Sequence, residues 1–436
     1  GRSAGVRHPR MRHKTQKKLA WVDSFVTEEI EPIDVLFPSS ADLYDRSTGV
    51  YDKLVRPLQE QVKEHGIWAA HLTPKLGGMG MGNVELALLN EILGRSMWAP
   101  SVFGTQAPDS GNAEILAHHG TIDQKERFLE PLLAGDTVST YAMTEPQGGS
   151  DPGGFTCQAV RDGSEWVLNG EKWFASNYPY AAFVVAMAIT NPDVPVHRGS
   201  SMLLIPAGTE GMEEIRITGL GAEPLGQGAH GYIRFRDCRV PADSLLGKEG
   251  EGFQLAQQRL GGGRLHHAMR TLGQLKRTFD MACEFAVSRS TQGSVLGKKQ
   301  AVQQAIADSW IQIEQFRMQV LHASWVCDQQ GYDLGRRYIS AVKAAMPEVV
   351  VDVVYRAMHL HGALGVSNEM PFVGLWLQGP MMATVDGGTE IHKDVLARQV
   401  LKDYTPFDGY FPSKHLPGQI AAAKAKFGRK LDDINI

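Results

Sequence analysis

Residues 141–154 read YAMTEPQGGSDPGG and set three hydroxyls, Tyr141, Thr144 and Ser150, among four glycines and two prolines. Glycines let ligand atoms approach the main chain, and a run of exposed amides makes a concave site for an anion such as a pyrophosphate. The stretch matches neither G-x-G-x-x-G nor the Walker pattern, so on spacing alone a turn-rich connection explains it equally well. A second glycine cluster, LGGGRLHH at 260–267, fails both patterns too. Near the C-terminus, TVDGGTEIH at 384–392 places a lone carboxylate, Asp386, before two glycines and a helix-like run. Such an acid is either a proton acceptor on a loop or a helix N-cap, and Thr389 offers the same cap.

These residues sit on a chain with three textures. From about residue 17 to 134, apolar residues recur three and four apart in segments such as LVRPLQEQVKEHGIW and NVELALLNEILGRSM, which predicts helices. Between about 139 and 241 the pattern shortens to strands. AAFVVAMAIT, SSMLLIPA and GYIRFRDCRVP are strand-like, and Asp162-Gly163 and Asn169-Gly170 are both expected to be hairpin turns. From about 252 onward, helical stretches near 30 residues long predict a bundle. The expected divisions are a tail at 1–14, helices at 15–138, a β domain at 139–242 and a helical bundle at 243–436.

Bulk properties bound the function. An apolar content of 43% and a charged content of 21% describe a folded globular chain, and 436 residues exceed one ordinary core. A net charge of −4 argues against a general nucleic-acid binder. Cys157, Cys238, Cys283 and Cys327 are scattered without a C-x-x-C pair, which suits a reducing compartment and gives no zinc signature. No apolar run approaches the ~20 residues of a membrane helix. The basic start lacks an initiator Met. The stretch ahead of Met11 is expected to be an expression-vector remnant, and residues 1–14 are left out of the functional reading.

Five blocks in one order carry a family resemblance: YAMTEPQGGSDP, LNGEKWFASN at 168–177, RFRDCRVPADSLLGKEGEGF at 234–253, RSTQGSVLGKKQ at 289–300 and HLHGALGV at 359–366. Together they resemble the acyl-CoA dehydrogenase family. RLHHAMRTLG and VDGGTEIH are similar to the branch of family members 10 and 11 and their bacterial relatives. The resemblance implies an α+β subunit: an N-terminal helical domain, a middle antiparallel β-barrel-like domain and a C-terminal four-helix bundle. It implies an FAD enzyme that oxidises an acyl-CoA to the trans-2-enoyl-CoA, with a hydride passing to flavin N5 and electrons to an electron-transferring flavoprotein. A homodimer or homotetramer is implied, with FAD near the subunit interface. Expected localisation follows the source: cytoplasm in a bacterium, mitochondrial matrix or peroxisome in a eukaryote.

The same resemblance carries roles onto single residues. Asp386 matches the catalytic glutamate, with its amide and Gly387 beside the thioester oxygen, although Asp is one methylene shorter. Some relatives place the base one residue before the arginine of the first C-terminal helix. Here that position is Gly263, which cannot abstract a proton, and the arginine is Arg264, expected to lower the pKa of the base by proximity. Tyr141, Met143, Thr144 and Ser150 match flavin- and substrate-contacting positions. Phe174 takes the place of a tryptophan beside the flavin, and Ser176 that of a threonine donating to it. Arg289 matches an arginine that reaches a partner's FAD pyrophosphate. Gln292, Gln300, His359, Gly362 and Ala363 complete that surface, with Gln292, His359 and Ala363 departing from the usual residues. His266 and His267 are expected to be packed rather than catalytic.

Two other readings fit the same fold: a flavin oxidase resembling nitroalkane oxidases, which also use an Asp base, and a DNA-associated flavoprotein. The acidic balance disfavours the second.

Overall fold

A computed structural model describes residues 13–434. The basic start, for which a vector remnant is expected, lies outside the described residues up to position 12, and the first helix begins at His13.

The N-terminal part is helical. Its longer helices include α1 (Asn83–Leu93) and α2 (Asp109–His119). A β domain follows, with β1 (Ser139–Ala142), β2 (Gln158–Asp162), β3 (Glu165–Ser176), β4 (Phe183–Ile189), β5 (Ser200–Pro206), β6 (Met212–Thr218), β7 (His230–Pro241) and β8 (Leu245–Leu246). The C-terminal part is built on α3 (Gly252–Ser288) and α4 (Gln300–Leu360), then α5 (Phe372–Met382), α6 (Thr389–Leu401) and α7 (Leu416–Phe427). Gly331, at φ 81° and ψ 171°, breaks α4 into two helical arms.

The sheet order is β6-β7-β3-β2-β4-β5-β8, with β1 joined in parallel to β4. The β4 and β5 runs read as continuous apolar sequence because both faces of these strands are covered. Phe183, Val185 and Met187 of β4, with Met202 and Leu204 of β5, pack toward Ile115, Leu116 and Phe128 of the N-terminal helices. The alternate residues Val184, Ala186, Ala188, Leu203 and Ile205 pack inside the sheet with Leu168, Ile233 and Phe235. A separate core joins N-terminal residues such as Leu89 and Trp98 to Leu265, Met269, Phe316 and Met346 of the bundle. The N-terminal helices therefore touch both other parts, and the functional residues gather at that three-way junction.

Of the two expected hairpin dipeptides, Asp162-Gly163 leads the tight turn between β2 and β3. Asn169-Gly170 does not turn. It forms a bulge inside β3, where the register against β7 shifts between Leu168 and Gly170. The Asn169 side chain accepts from the Asp237 amide at 2.9 Å, and a Cβ on Gly170 would stand 2.6 Å from the Cys157 Cα. Asn-Gly here serves a close strand contact rather than a chain reversal.

Candidate active site

The loop after β1 is fixed by a buried ion pair. Glu145 and Lys172 lie 2.7 Å apart with side chains at most 1% exposed. Glu145 also accepts from the amides of Thr156 at 2.6 Å and Cys157 at 3.2 Å and from Gln147 Nε2 at 2.7 Å. Lys172 donates in addition to the Met143 carbonyl at 2.7 Å. Burial alone would raise the Glu145 carboxyl, but Lys172 and these donors hold it below its ordinary value. A buried charge so fully bonded is a scaffold. It clamps the main chain at Met143 and Thr144 against β3, where the Trp173 amide donates to the Thr144 carbonyl at 2.8 Å.

Next to that clamp, Phe174 adopts a left-handed φ of 53°, stacks on Trp173 and leaves 39% of its surface exposed. The Ser176 hydroxyl lies 2.9 Å from His230 Nδ1. Ser150 is exposed in the turn that Asp151 closes by accepting from the Gly153 amide. An exposed flat ring beside two hydroxyls and a glycine-rich loop suits a planar aromatic ligand with a polar edge.

Tyr141 points toward the junction. The Arg259 guanidinium of α3 lies 3.8 Å over its ring, and Arg259 Nε donates to Asn112 Oδ1 at 2.9 Å. Asn112 donates to the Ser139 hydroxyl at 2.8 Å, and Ser139 donates through hydroxyl and amide to Asp109 Oδ1 at 2.6 and 2.7 Å. One chain of hydrogen bonds thus links α2, β1 and α3. Burial pushes Asp109 up to about 6 and the Tyr141 phenol up to about 12.

Asp386 lies between α5 and α6 with φ 56°, followed by Gly387 at φ 101°. It does not cap α6. Gly388 is the N-cap, no side chain bonds that helix end, and Thr389 is already helical. The Asp386 carboxylate meets His267 instead, with Nε2 to Oδ2 at 3.2 Å. Its carbonyl accepts from Arg264 Nε at 2.8 Å, with His392 Nε2 at 3.2 Å. A Cβ on Gly387 would lie 3.0 Å from His392 Nε2, so both backbone conformation and space select glycine there. A Cβ on Gly263 would lie 3.7 Å from Asp386 Oδ2, so that position faces the carboxylate without crowding it.

Burial opposes ionisation of Asp386, yet His267, Arg259 and Arg264 outweigh it and hold the carboxyl well below the carboxylate range. Lys343 of α4, buried beneath the loop and donating to the Met382 carbonyl, is pushed down to about 8 by burial. Arg264 lowers the pKa of the acid by proximity, as expected, and also holds its main chain. One expectation changes: His267 touches that carboxylate instead of packing passively. His266, one residue earlier, points elsewhere: its ring meets His71 edge-on at 6.1 Å.

The remaining predicted residues form a second surface. Arg289 follows α3 and is exposed, as are Gln292, Gln300, His359, Gly362 and Ala363. A tight hairpin pairs 290–291 with 294–295, turning at Gln292 and Gly293 with φ 48° and 81°. Phe285 stacks on His361 at 4.1 Å, which brings this hairpin to the end of α4. Arg289 lies 22 residues beyond His267, roughly 33 Å along the helix at 1.5 Å per residue. Within one subunit the two groups are too far apart to share a small ligand's reactive end. Sequence reading did not single out Glu145, Lys172, Arg259 or Lys343. Glu145 and Lys172 both stand inside the motifs quoted above, where an acid and a base at unremarkable positions were the only signal.

Family models for the acyl-CoA dehydrogenase N-terminal, middle and C-terminal domains match residues 14–136, 140–238 and 250–401. The chain belongs to the acyl-CoA dehydrogenase family. It is 37% identical over 392 residues to the probable acyl-CoA dehydrogenase FadE2 of Mycobacterium tuberculosis, covering 87% of this chain and 93% of that one. It is 35% identical over 398 residues to acyl-CoA dehydrogenase family member 11 of Rattus norvegicus, covering 89% of this chain but only 50% of that longer protein. Among solved structures, a putative acyl-CoA dehydrogenase from Mycobacterium abscessus aligns with a TM-score of 0.84 at 34% identity, covering 91% of this chain and all of the other. The three-domain architecture described above is the fold of this family.

Proposed function

We propose that this acyl-CoA dehydrogenase, an oxidoreductase, removes the α-proton of an acyl-CoA thioester with Asp386 while a hydride leaves the β-carbon. The observation that carries this reading is an ionised, largely buried carboxylate at the three-domain junction with, among the described residues, one side-chain partner. Its second oxygen, Oδ1, is the proton acceptor.

The cofactor is FAD, and the loop at 141–154 together with Phe174 and Ser176 fits its ring. Bound FAD supplies the acceptor for the hydride. Thr144, clamped through Glu145 and Lys172, holds the ring edge, and Phe174 presents a flat wall. Asp386 takes the α-proton, and the electron pair left behind forms the new double bond as the β-hydride departs, so charge balances. The Asp386 amide faces the thioester oxygen, where a fixed donor lowers the cost of developing negative charge. Arg264 and His392, bonded to the Asp386 carbonyl, keep that peptide in place. Arg289 and the exposed surface around it bind the FAD pyrophosphate of a second subunit, and electrons leave to an electron-transferring flavoprotein.

The test is anaerobic flavin bleaching across a panel of acyl-CoAs, with a nitroalkane as the contrasting substrate. Bleaching by an acyl-CoA, lost in Asp386→Asn with FAD still bound, supports the reading. Bleaching by the nitroalkane alone, or a parental rate in Asp386→Asn, refutes it.

A further inference from the structure

We propose that His267, its tautomer set by Arg270, is the positioning residue that aims Asp386, leaving Oδ1 free for the substrate proton. This rests on Asp386 as the base and goes beyond it, because it names the group that lets a short acid serve there.

Arg264, His267 and Arg270 are three residues apart on α3 and therefore lie on one helix face. The Arg270 Nη2 to His267 Nδ1 distance is 3.3 Å. A guanidinium only donates, so Nδ1 must be the acceptor, and a neutral ring then carries its hydrogen on Nε2. Asp386 Oδ2 is 3.2 Å from that Nε2. Burial lowers the pKa of the ring and outweighs the Asp386 carboxylate, which raises it; the Arg270 and Lys343 cations lower it further, so the balance favours the neutral ring. The assembly is thus a directed line, guanidinium to imidazole to carboxylate, in which each hydrogen has one destination.

The line answers a geometric problem. Asp386 sits at φ 56°, a conformation in which a non-glycine residue persists only when its surroundings impose it. Its carbonyl is held by Arg264 and His392, which fixes the backbone but leaves χ1 undetermined. The His267 bond sets χ1 and decides which oxygen faces the substrate. Other charged or titratable groups around the acid are Arg259 on α3, Lys343 on α4, His392 on α6 and Tyr141 on β1. Of these, Arg259 is turned toward Tyr141 and Asn112, and Lys343 donates to the Met382 carbonyl. His267 is the side chain seen bonded to the carboxylate itself. The arrangement trades basicity for aim: a donor on Oδ2 weakens the acid as a base while fixing the direction of its free oxygen.

The experiment compares the FAD-loaded parent with His267→Leu, His267→Gln and Asp386→Asn. Anaerobic bleaching by an acyl-CoA that reduces the parent is followed at saturation from about pH 5 to 9. His267→Leu should slow bleaching by about tenfold or more, with the half-saturating concentration little changed, and should bend down the acid end of the profile, which the parent, its carboxyl held well below this range, keeps flat. His267→Gln, whose amide donates to the same oxygen, should restore most of the rate and the flat profile. A Leu variant with parental rate and profile overturns the proposal, as does a Gln variant no better than Leu when both retain FAD. A second readout needs no turnover: side-chain ¹⁵N spectra of histidine-labelled protein, with His267 assigned by its loss in His267→Gln. The Nε2–H tautomer near neutral pH is expected. Finding the Nδ1–H form or an imidazolium overturns the proposal even if no acyl-CoA bleaches the parent, an outcome that would by itself count against Asp386 as base.

Discussion

Two carboxylates, Glu145 buried and Asp386 half-buried, are built to opposite ends. Glu145 is saturated: Lys172, two backbone amides and a glutamine side chain fill its oxygens, and its side chain is at most 1% exposed. Asp386 has, among the described residues, one side-chain contact on its carboxylate, His267 at Oδ2, and keeps 18% of its side chain exposed. A saturated carboxylate has no oxygen to offer and can only hold structure. An ionised one with a bare oxygen is reactive, because its low pKa comes from neighbours rather than from full solvation. The difference supports Glu145 as scaffold and Asp386 as the proposed base.

Removing the bare oxygen's basicity is the largest expected effect. Asp386→Asn keeps shape and an acceptor for His267, so folding and FAD content should hold while bleaching falls by about 10² to 10⁴, the range for a general base. Stopped-flow absorbance of the flavin measures it. A comparable loss in Glu145→Gln with parental stability would erase the distinction between the two acids.

Breaking the saturated partner should act on stability instead. Lys172→Met strands the Glu145 carboxylate, at a cost of about 3–5 kcal/mol for a buried pair opened from one side. The loop at 143–156 loses its clamp, so FAD should dissociate more readily as well. Denaturant titration and FAD release on dilution report both. A stable Lys172→Met protein with tightly held FAD would show that the loop is fixed by other means.

Much of this was legible in advance, and what escaped has a common cause. The short apolar strand run AAFVVAMAIT and the helix–β–helix order are read from local sequence texture. Asp386 stands out because its surroundings match a family motif. The Asn169-Gly170 bulge escaped because the dipeptide fits a turn equally well, and only strand register decides between them. Glu145 and Lys172 are 27 positions apart, and each alone looks like an ordinary solvated charge. His266 and His267 are chemically identical; helix phase sends one toward His71 and the other toward Asp386. Side-chain direction across packed elements is the information that composition and spacing lack.

The exposed surface at Arg289 sets a third case beside the two acids, a charge whose proposed partner, an FAD pyrophosphate, belongs to a second subunit. Arg289→Ala should weaken FAD binding by about ten- to a hundredfold, the loss of one charge-assisted contact, and leave the pH profile of bleaching in place. Isothermal titration of FAD into the apoprotein measures the first. A shifted profile would place Arg289 in contact with the base and contradict the ~33 Å separation along α3.

The smallest effect sharpens the comparison for the histidines. His71 is buried with neither ring nitrogen bonded to protein, and burial pushes it down to about 4. Unfolded, it titrates near 6.5, so between those values the unfolded chain binds the extra proton. Its contribution is complete above about pH 6.5 and is lost as pH falls toward 4, amounting to about 2 kcal/mol between pH 7 and 5. Asp109 and Glu114, raised by burial to about 6 and about 7, act in the reverse sense, since protonating them favours the folded chain. These opposing contributions overlap in the parental profile, so that of His71 shows only by difference between two proteins. His71→Gln should cost stability at pH 7 through packing, and that deficit should shrink by about 2 kcal/mol at pH 5, where the parent bears the protonation penalty and the variant does not. Thermal melts of both proteins at the two pH values give the difference directly. An equal deficit at both would mean that His71 has found a proton acceptor in the folded chain, and its burial would then carry no acid sensitivity.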